Sequence, residues 1–541
     1  MSPRTNFVLT AVVAVAGVLT TGFFWPPALY ALGLVLPVVA LGIHDMVQAR
    51  HAILRNYPVV GHGRYLMEAF RPEINQYFVE SNTSGRPFHR EERSVAYQRA
   101  KDVRDTVAFG TERDVYAVGH EWMNHSLLAK EPPEEPPRVL IGGPECEQPY
   151  DSALMNIGAM SFGALSEAAI KALNRGAARG GFAHNTGEGG VSPYHLEAGG
   201  DLIWQLGTGY FGARDAEGSF CPKSFAETAQ LPQVKMIEVK LSQGAKPGHG
   251  GILPAAKLTR EIASIRGVPM GHDVISPPSH KAFSTPDGLL RFVAQLRELS
   301  GGKPVGFKLC VGKHREVFAI CKAMLTTGIL PDFITVDGAE GGTGAAPVEF
   351  ANVLGTPLID GLVFVHNALV GIGVRDRVKV IASGRVITGF DMAKRLALGA
   401  DVVYSARGMM FALGCIQARR CNANDCPTGV ATQNAGLMKG LQVADKATRV
   451  FNFQRNTVHA FSEILGATGL ASPEQLRPWH LHRRVGPTKV QTYSEIYEYL
   501  LDGQLIEAPP ASYARAWFAA TADSFDPPDA DRPTPYVRLA G

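Results

Sequence analysis

Apolar residues change their spacing three times along this chain, and each change marks a different kind of structure. From Thr5 to Ile43 no side chain is charged, and Pro26-Pro27 splits the stretch into two apolar segments, Phe7–Trp25 and Ala28–Ile43. As a helix the first can cross a hydrocarbon layer of ~30 Å, and the second lies near the lower limit for doing so. The pattern predicts a transmembrane hairpin over residues 1–45, turned at the proline pair. Arg4 flanks its start while Arg50 and Arg55 flank its end. Basic residues on both sides assign both ends to the cytoplasmic face of an inner membrane. A second apolar segment directly after the first argues against a cleaved signal peptide.

Residues 46–150 are mixed and polar, with helical spacing over Ala49–Leu66 and Ser94–Val107 and an exposed Pro/Glu linker at Glu131–Pro137. From about residue 151 to 435 the texture is different. Short apolar runs end in Gly-rich loops and alternate with helical patterns. Eight strands are expected at Leu154–Gly158, Phe182–Asn185, Met236–Lys240, Asp273–Ile275, Val305–Leu309, Phe333–Val336, Val378–Ala382 and Val402–Tyr404. Helices are expected between them, among others Glu167–Arg179, Asp287–Leu299, Arg315–Thr326 and Asp391–Leu398. Eight such units over roughly 250 residues predict an α/β fold of the (β/α)8 barrel type. A doubly wound sheet is the competing architecture, but no G-x-G-x-x-G follows a strand. Residues 436–541 open on a helical pattern, Ala444–Leu470, and end from Asp526 in a Pro- and Asp-rich tail expected to be loosely ordered.

Composition narrows the chemistry. With 19% charged residues and a net charge of +3 in 541 residues, nothing points to a nucleic acid. Three of the seven cysteines lie within twelve residues, as Cys415-x5-Cys421-x4-Cys426-Pro427. Thiolates at such spacing suit soft metals and iron–sulfur clusters. Zinc completed from elsewhere in the chain, or unligated cysteines, are the alternatives.

In a barrel of this kind the working residues sit at the C-terminal ends of the strands, and phosphate is often bound after the seventh and eighth. Here those exits are Ser383-Gly384-Arg385 and Ser405-Ala406-Arg407-Gly408, and the sixth strand runs into Asp337–Gly344, which includes Gly341 and Gly342. Small residues let backbone N–H groups reach an anion, and the arginines add charge. Lys308, on an apolar strand, needs a negative partner. A reduced flavin supplies one, and so does a barrel carboxylate such as Asp337. The loop Lys240–Gly248 gathers Lys240, Gln243 and Lys246 on one rim, which suits a small dicarboxylate.

Six strings resemble the FMN-binding synthase domain of the glutamate synthases. They are Gly158–Ser166, Asn185–Gly190, Lys240–Gly248, Ile275–Pro278, Gly341–Ala345 and the Cys loop with Pro427–Gln433, in the family's order over about residues 150–435. With its N-terminal apolar segments and His51–Pro58, the chain is similar to the short, stand-alone branch of that family. The resemblance implies FMN, with Ala159, Met160 and Ser161 behind the flavin and Lys308 at its pyrimidine edge. It assigns the phosphate to Gly384, Arg385 and Gly408, the substrate to Lys240, Gln243 and Lys246, and a [3Fe–4S] cluster to Cys415, Cys421 and Cys426. It implies reductive amination of 2-oxoglutarate, through 2-iminoglutarate, to L-glutamate. Partners would be ammonia or a glutaminase, and an electron donor such as ferredoxin or another reductase.

Two departures stand inside the shared barrel. Ile252 occupies a position where a substrate-binding Gln is expected, and Ala168 one where many members carry Glu. The family's large enzymes begin with a glutaminase domain, whereas this chain begins with apolar segments. Flavin-dependent 2-hydroxy acid oxidases, which lack the cysteine triplet, and a membrane-tethered electron carrier without turnover are the rival functions.

Overall fold

The computed structural model describes residues 2–103 and 106–526. The tail expected to be loosely ordered lies beyond Asp526, outside the described residues, and the helix expected over Ser94–Val107 is seen as Arg90–Ala100. Two compact units divide the chain, one ending at Arg90 and the other beginning at Glu91.

In the first unit, Pro3–Phe24 is a helix capped by the Ser2 hydroxyl, with a proline at its first turn. Pro26–Ala31 makes a 3-10 turn at the proline pair, and Leu32–Val47 returns as a second helix. Mean hydropathy is 2.2 over the first span and 1.9 over Pro26–Val47, and each is 22 residues long. Two helices long and apolar enough to cross a membrane are therefore present. Short helices follow at Ala52–Asn56 and Gly61–Ile74.

The second unit is built on a closed, eight-stranded parallel barrel. Its strands, in order, are Met155–Ile157, His184–Asn185, Leu202–Leu206, Val234–Lys240, Val305–Cys310, Phe333–Asp337, Lys379–Ser383 and Val402–Ser405. The last pairs with the first through Val403–Met155 and Ser405–Ile157. The expected number of strands is right, but one member differs. Val274–Ile275 is not in the barrel; it pairs antiparallel with Ile252–Leu253 in a ribbon after the fourth strand. The third strand is Leu202–Leu206 instead, fully buried. Gln205 interrupts that apolar run, and a strand wanting a polar residue inside the barrel does not announce itself by hydropathy. Lys240 consequently ends the fourth strand, not the third.

Helices between strands start and stop where local chemistry dictates. Ser166 caps Glu167–Gly180, which ends at Gly181 with φ 63°. Thr285 caps Pro286–Leu299, and Thr388 with Asp391 forms a capping box for Gly389–Ala397. The long helix Val443–Ala467 lies against Glu167–Gly180, where Gly176 lets it approach: a Cβ there would sit 2.6 Å from Val450. An antiparallel ribbon, Arg138–Ile141 with Tyr150–Ala153, supplies Ile141 and Tyr150 to the core cluster that includes Ile203, Met236, Phe333, Ile381 and Tyr404.

Candidate active site

Side chains alternate along a strand, so Met236, Glu238 and Lys240 share the inward face of the fourth strand. Met236 packs in the core cluster. Glu238 is next, wholly buried and fully bonded: Asn185 and Gln205 donate to Oε1 at 2.9 and 2.6 Å, and Thr335 donates to Oε2 at 2.6 Å. This is why the third strand carries a glutamine. One step further, at the mouth, stands Lys240.

Lys240 Nζ is 2.7 Å from Glu188 Oε2 and donates to Gln243 Oε1 at 2.9 Å. On the neighbouring strand Lys308 is the Cα partner of Lys240. Lys246, also buried, donates to the Ala345 carbonyl at 3.0 Å and feels Glu188 as its nearest opposite charge. Burial holds its ammonium down to about 8, with Glu188 opposing that shift. Burial lowers Lys240 as well, and Lys308 lowers it further. Glu188 itself is held below the ordinary carboxylate value: burial would raise it, but Lys240, Lys246 and Arg266 outweigh burial. The structure thus brings Lys240, Gln243, Lys246 and Lys308 to one mouth, around a carboxylate that sequence reasoning did not single out. Its signal was a lone acid among glycines in Thr186-Gly187-Glu188-Gly189-Gly190.

Lys308 is 5% exposed; its carbonyl accepts the Leu241 and Ser242 N–H groups, but among the described residues its ammonium bonds no protein group. Asp337, the alternative partner considered for it, instead accepts the Gly244 N–H at 3.0 Å. A buried ammonium without a partner fits an anionic ligand group. The loops leave room to approach one. Gly187 has φ 63°, and a Cβ there would lie 2.7 Å from the Ser161 nitrogen, so the Ala159–Ser161 backbone is reached only by a glycine. Gly244 is as constrained, since a Cβ would run into the Gly338 carbonyl. These residues could hold a flat ring with a polar edge.

At the other exits, Gly342 lies over Arg407, whose Nη2 donates to the Glu340 carbonyl at 2.7 Å. Burial, with Arg385 adding to it, brings Arg407 down to about 10. Gly341 closes a turn on the Gly338 carbonyl. Gly384 has φ 153° and Arg385 φ 47°. The Arg385 guanidinium pairs with Glu92 at 2.8 Å. Gly408 is small because Ser405 and Phe453 crowd it.

The three cysteines are free thiols on a loop after the eighth strand. Among the described residues no group of His, Cys, Asp or Glu surrounds a single metal ion. The thiols are nevertheless close enough to act on one another. Burial pushes Cys415 up to about 12, and Cys421 and Cys426 add to it. Cys426 goes the other way: burial opposes ionisation, but Thr428 and the Val430 and Ala431 N–H groups outweigh it. The three thiols supply sulfur donors of the kind that soft metals and iron–sulfur clusters take.

A set of buried donors joins the cysteine loop to the loop after the first strand. Lys257 Nζ donates to the carbonyls of Ala164, Cys421 and Ala431 at 2.6, 3.2 and 3.1 Å. Gln433 donates to Gly163 and Leu165, and Arg266 to Phe162. Four consecutive carbonyls are therefore held by side chains from outside their own loop. Of the departures noted in the sequence, Ile252 is half-buried in the ribbon beside Gly250 and Gly251, and Ala168 is half-buried in the first turn of its helix.

Residues 127–471 match the conserved region in glutamate synthase. The glutamate synthase large subunit-like protein YerD of Bacillus subtilis (strain 168) is 36% identical over 497 residues, which are 84% of this chain and 94% of that protein. The archaeal glutamate synthase (NADPH) of Methanocaldococcus jannaschii is 36% identical over 327 residues, 60% of this chain and 61% of that protein. The chain thus spans nearly all of the first relative and less than two thirds of the second. Among solved structures, a lactate oxidase of Pediococcus acidilactici aligns over 71% of this chain and 92% of its own at 16% identity, with a TM-score of 0.41.

Proposed function

Because this chain belongs to the glutamate synthase family, we propose that it is an FMN-dependent oxidoreductase that aminates 2-oxoglutarate reductively to L-glutamate. Electrons would arrive through an iron–sulfur cluster on Cys415, Cys421 and Cys426, from a donor such as ferredoxin or another reductase. The nitrogen would come as ammonia, free or from a partner glutaminase. We further propose that the two apolar helices anchor it in the inner membrane with the barrel in the cytoplasm.

The observation that carries this reading is the charge at the barrel mouth. Lys240, Lys246 and Lys308 converge there, with Glu188 as the carboxylate that pairs directly with one of them. A surplus of buried ammonium groups favours a dianionic substrate beside an anionic cofactor. FMN, when bound, would supply the hydride. Lys308 would hold the negative edge of the ring, and Ala159, Met160 and Ser161 would back it. Gly341, Gly342, Gly384, Arg385, Arg407 and Gly408 would take the phosphate end. Lys240 and Gln243 would orient the substrate carboxylates. Lys246, mostly protonated at neutral pH though held down to about 8 by burial, would keep the imine nitrogen protonated and leave the product as an ammonium. A second reading, another 2-oxo or 2-imino acid, is favoured by Ile252, an apolar side chain next to Gly251, which lies against Glu188.

The test is anaerobic. Full-length protein with chemical reductant, 2-oxoglutarate and high ammonium should form L-glutamate at a rate proportional to its FMN content. No glutamate, with reoxidation by other 2-oxo acids under the same conditions, would move the assignment to the second reading.

A further inference from the structure

Gly61–Ile74 is a helix, and it continues as one π turn over Asn75–Val79. At 100° per residue, Leu66, Met67, Phe70 and Ile74 fall within an arc of about 100° on one side, and Tyr77 and Phe78 extend it. Arg71, Arg64 and Glu68 follow beyond one edge of the arc, with Arg64 and Glu68 paired at 2.8 Å, and Glu73 stands at its other edge. The apolar side is bare. Exposure runs from 42% at Ile74 to 84% at Phe78, with Leu66, Met67, Phe70 and Tyr77 between them. An isolated helix of this length is marginal in water, and its stability has to come from burying that side. A row of six large apolar side chains in the open is also more than a soluble surface ordinarily presents.

What covers it follows from where it is tied. Asp45 is 1% exposed, in the last turn of the second apolar helix. Its Oδ2 accepts the Val59 N–H at 2.8 Å, and its carboxylate meets His62 Nε2 at 2.9 Å. The first turn of the amphipathic helix is thereby pinned to the end of the apolar hairpin. A segment fixed at that level, with basic and acidic residues on one side and Leu, Met, Phe and Ile on the other, meets the boundary between headgroups and acyl chains.

We propose that Gly61–Ile74 lies in the membrane surface, with Leu66, Met67, Phe70 and Ile74 among the lipid chains and Arg64 and Arg71 among the headgroups. This rests on the hairpin being a membrane anchor. It adds a second, in-plane attachment, so that the chain leaves the bilayer at Val79 rather than at Val47.

The experiment uses the full chain in vesicles of phosphatidylcholine and phosphatidylglycerol, with p-benzoylphenylalanine placed at Phe70 or, on the polar side, at Glu68. Irradiation should give lipid adducts at position 70 and at least tenfold fewer at position 68. Adducts at position 70 to protein, whether the same chain or a second copy, would overturn the inference, as would equal lipid labelling at both positions. Carbonate extraction of the same vesicles separates the two ideas. A chain released by carbonate defeats the anchor and this attachment together. A retained chain with position 70 linked to protein defeats only the in-plane helix.

Discussion

Replacing Lys246 with Met removes a charge from the barrel mouth and keeps most of the side-chain length. Its ammonium is buried, donates to the Ala345 carbonyl, and titrates at about 8. A lysine is charged below its pKa, so in the free enzyme Lys246 is ~90% protonated at pH 7 and ~10% at pH 9. If the protonated form is the working one, kcat/KM falls through about pH 8, roughly tenfold for each further unit. Two substrate carboxylates stabilise the ammonium, so the matching limb in kcat should lie at higher pH. Lys246→Met should then lose on the order of 10²–10³ in turnover, the scale set by removing one electrostatic stabiliser. It should also lose the alkaline limb, and Lys246→Arg should move that limb beyond the accessible range. The assay is anaerobic glutamate formation from pH 6 to 10, with FMN content measured in each preparation. Lys246→Met enzyme that keeps the same alkaline limb, however slow it is, would refute the assignment, because another group would then be titrating.

Glu188→Gln leaves Lys240 buried without its counter-charge, bonded to Gln243 and still beside Lys308. Removing one partner of a buried pair costs ~3–5 kcal/mol, and the surviving bond to Gln243 and the partial exposure of Glu188 reduce this to about 2–3 kcal/mol. Denaturant titration measures it, and a change below ~0.5 kcal/mol would show that the pair is only a surface contact. Lys308→Met should lower the potential of the bound flavin in a spectroelectrochemical titration, since the reduced ring loses its counter-charge; an unchanged potential would detach Lys308 from the ring. Cys421→Ser should lose most of the iron and keep FMN, because the two sets of contacts come from different loops. Zinc without iron in anaerobically prepared wild type would defeat the cluster assignment.

Much of the barrel could be seen in the sequence because parallel strands buried on both faces are short apolar runs with glycine exits. Seven of the eight were visible that way. Leu202–Leu206 was not, because Gln205 serves the interior acid Glu238, and that requirement becomes visible only once the strands are side by side. Asp273–Ile275 reads as a barrel strand because a ribbon in an excursion has the same local composition. The site divides in the same way. Lys240, Gln243 and Lys246 share one loop, so their meeting could be foreseen. Glu188 comes from the loop after the second strand, Lys257 from a 3-10 turn and Arg266 from a helix end, and a single acid or base among glycines and apolar residues has no spacing to betray it. Arg385 shows the reverse case: its charge was legible, but its pairing with Glu92 depends on a helix some 290 residues earlier.

The donors that converge on Phe162–Leu165 bear on how two redox groups could work in one chain. Transfer between a cluster and a flavin needs a separation that does not drift, while the substrate side of the same barrel has to open for exchange. The mouth around Lys240 and Lys246 is built on the Lys240–Gly248 loop, whose close approach to Gly338 depends on glycine. The loop after the first strand is held by side chains instead. Lys257 alone bonds three carbonyls, one on the loop after the first strand and two on the cysteine loop, and Gln433 and Arg266 fix the carbonyls on either side of Ala164. Burying a lysine against backbone carbonyls is expensive, and burial indeed brings Lys257 down to about 8, with the cysteines opposing that shift. A neutral glutamine could bridge two of those carbonyls at lower cost. The cysteine loop and the loop after the first strand are thus joined by buried side-chain donors, while Lys240 and Lys246 stand on a loop whose course depends on glycine.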